Sequence, residues 1–417
     1  MTTHPIDLAA SVASVAPRSG ETAGTGRLAE IAAIAVPLLA ALVVAAPATA
    51  FDEDSLTIWI GDNKAKADLE KALAPFTEDL GIGVNVEIVE PKLPDRFQQA
   101  AATGDGPDLI FYAHDRFGEW AAGGLIQPVE PSAAFADGVL DTAMEALAFD
   151  GRVWGYPIAV EAIALIYNKA YVEEPPATFE EIAELELPEG VQPILWDYNN
   201  TYFTFPLMMA NGGYAFQKVD GAYDGKDTGV DNAGAIAGAA VLREMIDSGV
   251  MPKGVDYGVM DGAMKKGEVA MVVNGPWAWS DLAAAGVDFG VAPLPSVGGE
   301  PARPFVGVYS AAINAASPNA DLAVELLEGY LLTDEALATW NASNELGALA
   351  DLSAAEAQTD PKVAATLANA EAGVPMPSNP EMGAFWSAME PALGNITTGA
   401  QSVEDALKDA GARIRGE

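Results

Sequence analysis

Cysteine is missing from the 417-residue sequence altogether, and histidine nearly so, with only His4 and His114. The first absence excludes disulfides, thiolate metal ligands, thiol nucleophiles and a cysteine-borne lipid. The second excludes a His-rich metal site. Basic residues are scarce, with 21 Lys+Arg against 60 Asp+Glu and a formal net charge of −39. So acidic a surface repels phosphate backbones, which excludes nucleic acid as a partner and argues against an anionic ligand. Apolar residues, by contrast, make up 50% of the chain, enough for large cores. At about 100–200 residues per domain, the length predicts two domains.

A membrane-length apolar run is lacking near the N-terminus as well. Ile31–Ala46 is apolar but interrupted by Pro37, and it falls short of the roughly 20 residues that span a bilayer. It leads into Ala48-Thr49-Ala50, a small-x-small pattern that signal peptidase reads. Residues 1–50 are therefore expected to be a cleaved signal peptide, and the mature chain an exported, soluble protein.

The remaining chain reads as alternating strands and helices. Leu56–Ile60 is a short apolar strand, followed by the polar loop Gly61-Asp62-Asn63-Lys64. Leu69, Leu73, Phe76 and Leu80 then recur on one helical face, with Pro75 expected to kink the helix and Gly81 to end it. Val84, Val86 and Ile88 alternate as a second strand. Further strands are predicted at Asp108–Tyr112, Ile158–Val160 and Leu165–Tyr167, and helices at Ala233–Asp247, Asp321–Leu332 and Val403–Ile414. The pattern predicts an α/β fold with a largely parallel sheet covered by helices, and a ligand site beyond the strand ends.

Aromatic and charged residues gather where loops are expected. Tyr112, Asp115 and Arg116 follow one strand, and Glu161 sits in YPIAVEA. Tyr202 and Phe203 occur in NNTYFTFP, Trp277 and Trp279 in NGPWAWS, and Trp386 in MGAFWSAM, on a helix. Aromatic faces pack against the C–H faces of a pyranose ring, while carboxylates, amides and guanidinium groups bond its hydroxyls. The set describes a carbohydrate site, although any one of these rings could equally be core.

The stretches AATGDGPDLIFYAHDRF, YPIAVEA, ALIYNK, GGYAF, GVDNAGA, NGPWAWS, PFVGV, INAASPN and YLLTDE occur in this order. Together they resemble the periplasmic maltose/maltodextrin-binding proteins of ABC sugar importers, from about Leu56 to Arg415. The resemblance implies a periplasmic binding protein-like fold of two α/β lobes, residues 51–159 with 311–357 and 160–310 with 358–417, joined by hinge crossovers. It also implies an oligosaccharide held in the cleft between lobes, no cofactor, and a monomer that docks on an inner-membrane permease with a cytoplasmic ATPase.

By the same resemblance Lys64, Asp115, Arg116 and Glu161 are ligand contacts, Glu161 beside the hinge. Tyr202, Phe203 and Tyr257 match contacts of the second lobe, Trp277 and Trp386 match ring-stacking tryptophans, and Met376 matches an apolar cleft residue. Trp279 has no such counterpart and is expected in the core. Several positions depart from the pattern. Asn63 stands where the family has aspartate, so either Asp62 takes over its contact by a one-residue shift or the hydroxyl contact weakens. Tyr112 replaces a third tryptophan, Asn200 a glutamate and Thr201 a proline. Glu390 reverses an arginine, and Pro94 replaces a glutamate beside a retained Asp95. These departures bear on which sugar is bound. A glycoside hydrolase is the competing class, since Asp115 and Glu161 could form a carboxylate pair. However, Arg116 beside Asp115 is expected to favour the ionised form, against a general acid.

Overall fold

The computed structural model describes residues 51–417 apart from Glu53 and Asp220. The expected signal peptide and its cleavage point after Ala50 lie outside the described residues. Eleven strands organise the fold: β1 Ser55–Ile60, β2 Gly83–Ile88, β3 Leu109–Ala113, β4 Tyr156–Ala162, β5 Ala164–Asn168, β6 Gln192–Leu195, β7 Val269–Asn274, β8 Phe289–Ala292, β9 Phe305–Ile313, β10 Ala348–Leu349 and β11 Val374–Pro375. Two further pairs of two- and three-residue strands lie outside them. One sheet has the order β10-β4-β9-β3-β1-β2, with β11 also paired to β9, and the other has the order β8-β5-β7-β6.

Neither sheet is largely parallel, contrary to the sequence expectation. Parallel pairing is confined to β1 with β2 and β3, β6 with β7, and β9 with β11. β9 runs antiparallel to β3 and β4, and β5 antiparallel to β7 and β8. The reason is the connection between sheets. Only Ile163 separates β4 from β5, so the chain passes from the first sheet into the second, where β5 lies antiparallel to both neighbours. β4 and β9 therefore pass from one half of the molecule towards the other, and their mutual register shifts between Tyr309 and Ser310.

Each sheet has its own core. In β1, Leu56, Ile58 and Ile60 alternate inward and meet Leu69 and Phe76 together with Phe111 and Trp340. The opposite face of that sheet is closed by Phe97, Phe117 and Trp120. Around the second sheet, Trp196, Phe205, Met271, Phe385 and Ile396 belong to another core, which also takes in Trp279 as expected. The C-terminal helices, Met382–Thr398 and Val403–Arg415, pack there.

The helix after β1, Lys66–Leu80, runs on through Pro75. Lys71, whose carbonyl loses its partner to the proline ring, is on the exposed side, where water replaces the missing N–H. Leu80, expected on the buried face, is exposed at the helix end. Gly81 ends the helix as expected, at φ 72°, its N–H donating to the Thr77 carbonyl. The expected helix over Asp321–Leu332 is α-helical only for Ala320–Glu325 and continues as a π-helical turn, Leu326–Leu331, which buries Leu326, Leu327 and Leu331.

Two glycines on helices test opposite effects. A Cβ on Gly118 would lie 1.6 Å from the Ser378 carbonyl oxygen, whereas a Cβ on Gly262 meets nothing within 4 Å. Gly118→Ala should destabilise the protein by about 1–3 kcal/mol through overpacking against backbone. Gly262→Ala should stabilise it by up to about 1 kcal/mol through helix propensity. Urea denaturation midpoints of the two variants should therefore move in opposite directions.

Candidate functional site

A cleft of about 560 Å³ opens between the two sheets, within the range of small-molecule sites. From the larger sheet, Asn63 and Lys64 come from the loop after β1. Tyr112 is the penultimate residue of β3, and Asp115 and Arg116 lie on the single 3-10 turn that follows. The floor is built by Glu161 of β4, Gly307 and Tyr309 of β9, and Met376 just after β11.

From the other half, Tyr202 and Phe203 sit in the first turn of the helix Thr201–Ala210, whose N-terminus is capped by the Asn200 side chain. Tyr257 opens the helix Tyr257–Lys266, capped by Asp256. Trp277 is on a 3-10 turn after β7, and Trp386 on the helix Met382–Thr398. In this half the Asn200 and Asp256 caps fix where two helices start, and hence where Tyr202, Phe203 and Tyr257 stand.

All but one of the residues expected at the site line this cleft: Asn63, Lys64, Tyr112, Asp115, Arg116, Glu161, Tyr202, Phe203, Tyr257, Trp277, Met376 and Trp386. Asp62 is exposed and does not line it. Met376 does both things a methionine there could do, lining the cleft while packing in the second core. Sequence reasoning did not single out Tyr309, Glu90, Asp197 or Asn199, which also line the cleft. A tyrosine within an apolar strand reads as core, and polar residues ahead of a helix read as its cap.

The cleft is polar at its base and aromatic on its walls. The Lys64 ammonium pairs with the Glu161 carboxylate, both side chains nearly inaccessible. The same ammonium lies 4.3 Å from the Tyr309 ring centroid and 5.5 Å from that of Trp277, within cation–π range. Tyr202 and Trp277 lie with ring centroids 6.3 Å apart. The Trp386 indole N–H donates to Asp115 at 2.8 Å, joining the two halves across the cleft. Arg116 does not turn towards Asp115. Its guanidinium meets Glu119 at 3.1 Å and Gln98 at 3.1 Å, with Asp95 at 3.8 Å.

Arg116 favours the ionised form of Asp115 as expected, but the net shift runs the other way. Burial dominates and raises its pKa from 3.8 to about 6, against the smaller lowering influences of the Trp386 N–H and Arg116. Its neighbour His114 is shifted the other way. Burial lowers its pKa from 6.5 to about 4, so the imidazole is neutral. Its Nδ1 accepts from the Val308 N–H and its Nε2 lies 2.9 Å from the Met376 carbonyl, to which it donates. Burial, then the charge of Asp62, also raises Glu90. Asp197 is raised by burial and by Asp256 and Glu390.

A family model described as bacterial extracellular solute-binding protein matches residues 71–366. A maltotriose-binding protein of Pyrococcus abyssi is 30% identical over 362 residues, covering 82% of this chain and 77% of its own. A galactooligosaccharide-binding protein of Bacillus subtilis is 27% identical, covering 87% and 89%. A maltodextrin-binding protein of Bacillus subtilis is also 27% identical, covering 87% and 90%.

The opposed shifts of His114 and Asp115 predict a pH signature. Asp115 gains proton affinity on folding, so its contribution to stability is lost as pH rises from 3.8 to about 6. His114 loses proton affinity on folding, so its contribution grows as pH rises from about 4 to 6.5. Each amounts to about 3 kcal/mol at most, and the two largely cancel in the wild type. Relative to wild type, His114→Gln should lose stability as pH rises from 4 to 6, and Asp115→Asn should gain it. Urea midpoints measured at half-unit intervals check both slopes.

Proposed function

Because this chain belongs to the bacterial extracellular solute-binding protein family, we propose that it is the sugar-binding component of an ABC importer. It holds maltose- or maltodextrin-type α-glucosides in the cleft and delivers them to the membrane permease and its ATPase. One observation carries the reading: the rings of Tyr112, Trp277 and Trp386 share a cleft with the buried polar groups of Lys64, Asp115 and Glu161. Rings offer faces to the C–H surface of a pyranose, and the polar groups offer partners to its hydroxyls.

No chemistry on the ligand is involved. This is supported by Asp115 and Glu161, the pair a hydrolase reading would use, being engaged by Trp386 and Lys64. We place the two lobes at 51–159 with 311–357 and 160–310 with 358–417; two of the three boundaries fall inside β4 and β9. Closure about them is driven by tighter binding to the closed state. The protein acts as a diffusible monomer in the periplasm, a reading supported by a sequence without cysteine to carry a lipid.

The Bacillus subtilis relative named for galactooligosaccharides favours a second reading, a different oligosaccharide in the same cleft. Isothermal titration with maltose, maltotriose, longer maltodextrins, trehalose, sucrose and galactooligosaccharides separates the two. Maltodextrins are expected to bind, and Trp277→Ala and Trp386→Ala each to weaken them about tenfold to a hundredfold. Heat from galactooligosaccharides alone selects the second reading. No heat from any saccharide overturns both.

A further inference from the structure

The cleft contains a polar demand that the protein itself leaves unmet. Tyr309 is only 3% exposed, yet its hydroxyl has no hydrogen-bond partner. The ring is held on two sides. The Lys64 ammonium lies 4.3 Å from its centroid, and Trp340 packs edge-on at 6.4 Å. It stands on β9 at the floor of the cleft, two residues from Gly307, where a Cβ would come within 2.9 Å of the Met376 methyl. A buried hydroxyl without a partner is costly, and natural proteins keep few of them except where something else supplies the bond.

The surroundings fix the direction of that bond. Burial, Glu161 and Tyr112 all disfavour the phenolate, so the group remains an O–H. Glu161 is engaged by Lys64. The missing partner is therefore an oxygen acceptor that enters through the cleft. We propose that Tyr309 is a ligand-binding residue whose phenol donates a hydrogen bond to one oxygen of the bound saccharide at the cleft floor, and so selects sugars that carry that oxygen. This rests on the saccharide reading above and adds to it a specific contact and a basis for discrimination.

Titration of wild type and Tyr309→Phe with maltose and the set of monodeoxymaltoses tests it. The variant keeps the ring beneath Lys64 and removes only the hydroxyl. Expected is a threefold to tenfold rise in Kd for maltose, with one monodeoxymaltose binding wild type and variant equally because it lacks the oxygen Tyr309 reads. Unchanged maltose affinity in the variant overturns the inference and leaves the proposed function standing. A similar loss for every analogue also overturns it, since that marks a structural role without discrimination. A wild type that binds no maltose overturns the inference together with the maltose reading.

Discussion

The cleft depends on one ammonium group. Lys64 is the cation paired with Glu161 at the base of the cleft, and removing it leaves that buried group without its partner, at a cost of about 3–5 kcal/mol. Its position is fixed from below. The Trp340 indole N–H donates to the Lys64 carbonyl at 2.9 Å, tying the loop after β1 to the core beneath it. The ammonium then reaches Glu161 on a strand between the sheets, the ring of Tyr309 on the next, and the face of Trp277 in the other half. A single side chain thus contacts residues from three separated parts of the sequence.

Much of this was legible in the sequence because it is local. The alternation in β1, the apolar spacing of Leu69, Leu73 and Phe76, and the small αL cap at Gly81 follow from period and turn chemistry alone. Tyr112, Asp115, Arg116, Glu161 and the aromatics of the second half were legible as a group of polar and aromatic side chains in loops, whereas Asn63, Lys64, Tyr257 and Met376 were marked only by the family resemblance. Sheet direction was not legible. Whether a strand returns parallel or antiparallel is decided by what connects it, and the one-residue link between β4 and β5 has no sequence signature of its own.

Asp115 shows where adjacency in sequence misleads. Arg116 is its neighbour along the chain, but the 3-10 turn sends the two side chains to different partners, one to Trp386 and the other to Glu119 and Gln98. Desolvation then outweighs the nearby charge. Tyr309 is the converse case, a residue whose role is invisible in an apolar strand until the fold leaves its hydroxyl alone.

The imidazole of His114 joins the 3-10 turn after β3 to Val308 on β9 and to Met376 beyond β11, through two hydrogen bonds between uncharged groups. The exterior, at a net charge of −39, responds strongly to dissolved ions because exposed charges are screened over about 10 Å at 0.1 M salt. The junction at His114 carries no charge to screen. A protein outside the cytoplasm meets ionic strengths it does not control, and this arrangement divides the response: the surface adjusts with salinity, while the joint between the strands beneath the cleft keeps the same strength in dilute and in concentrated salt.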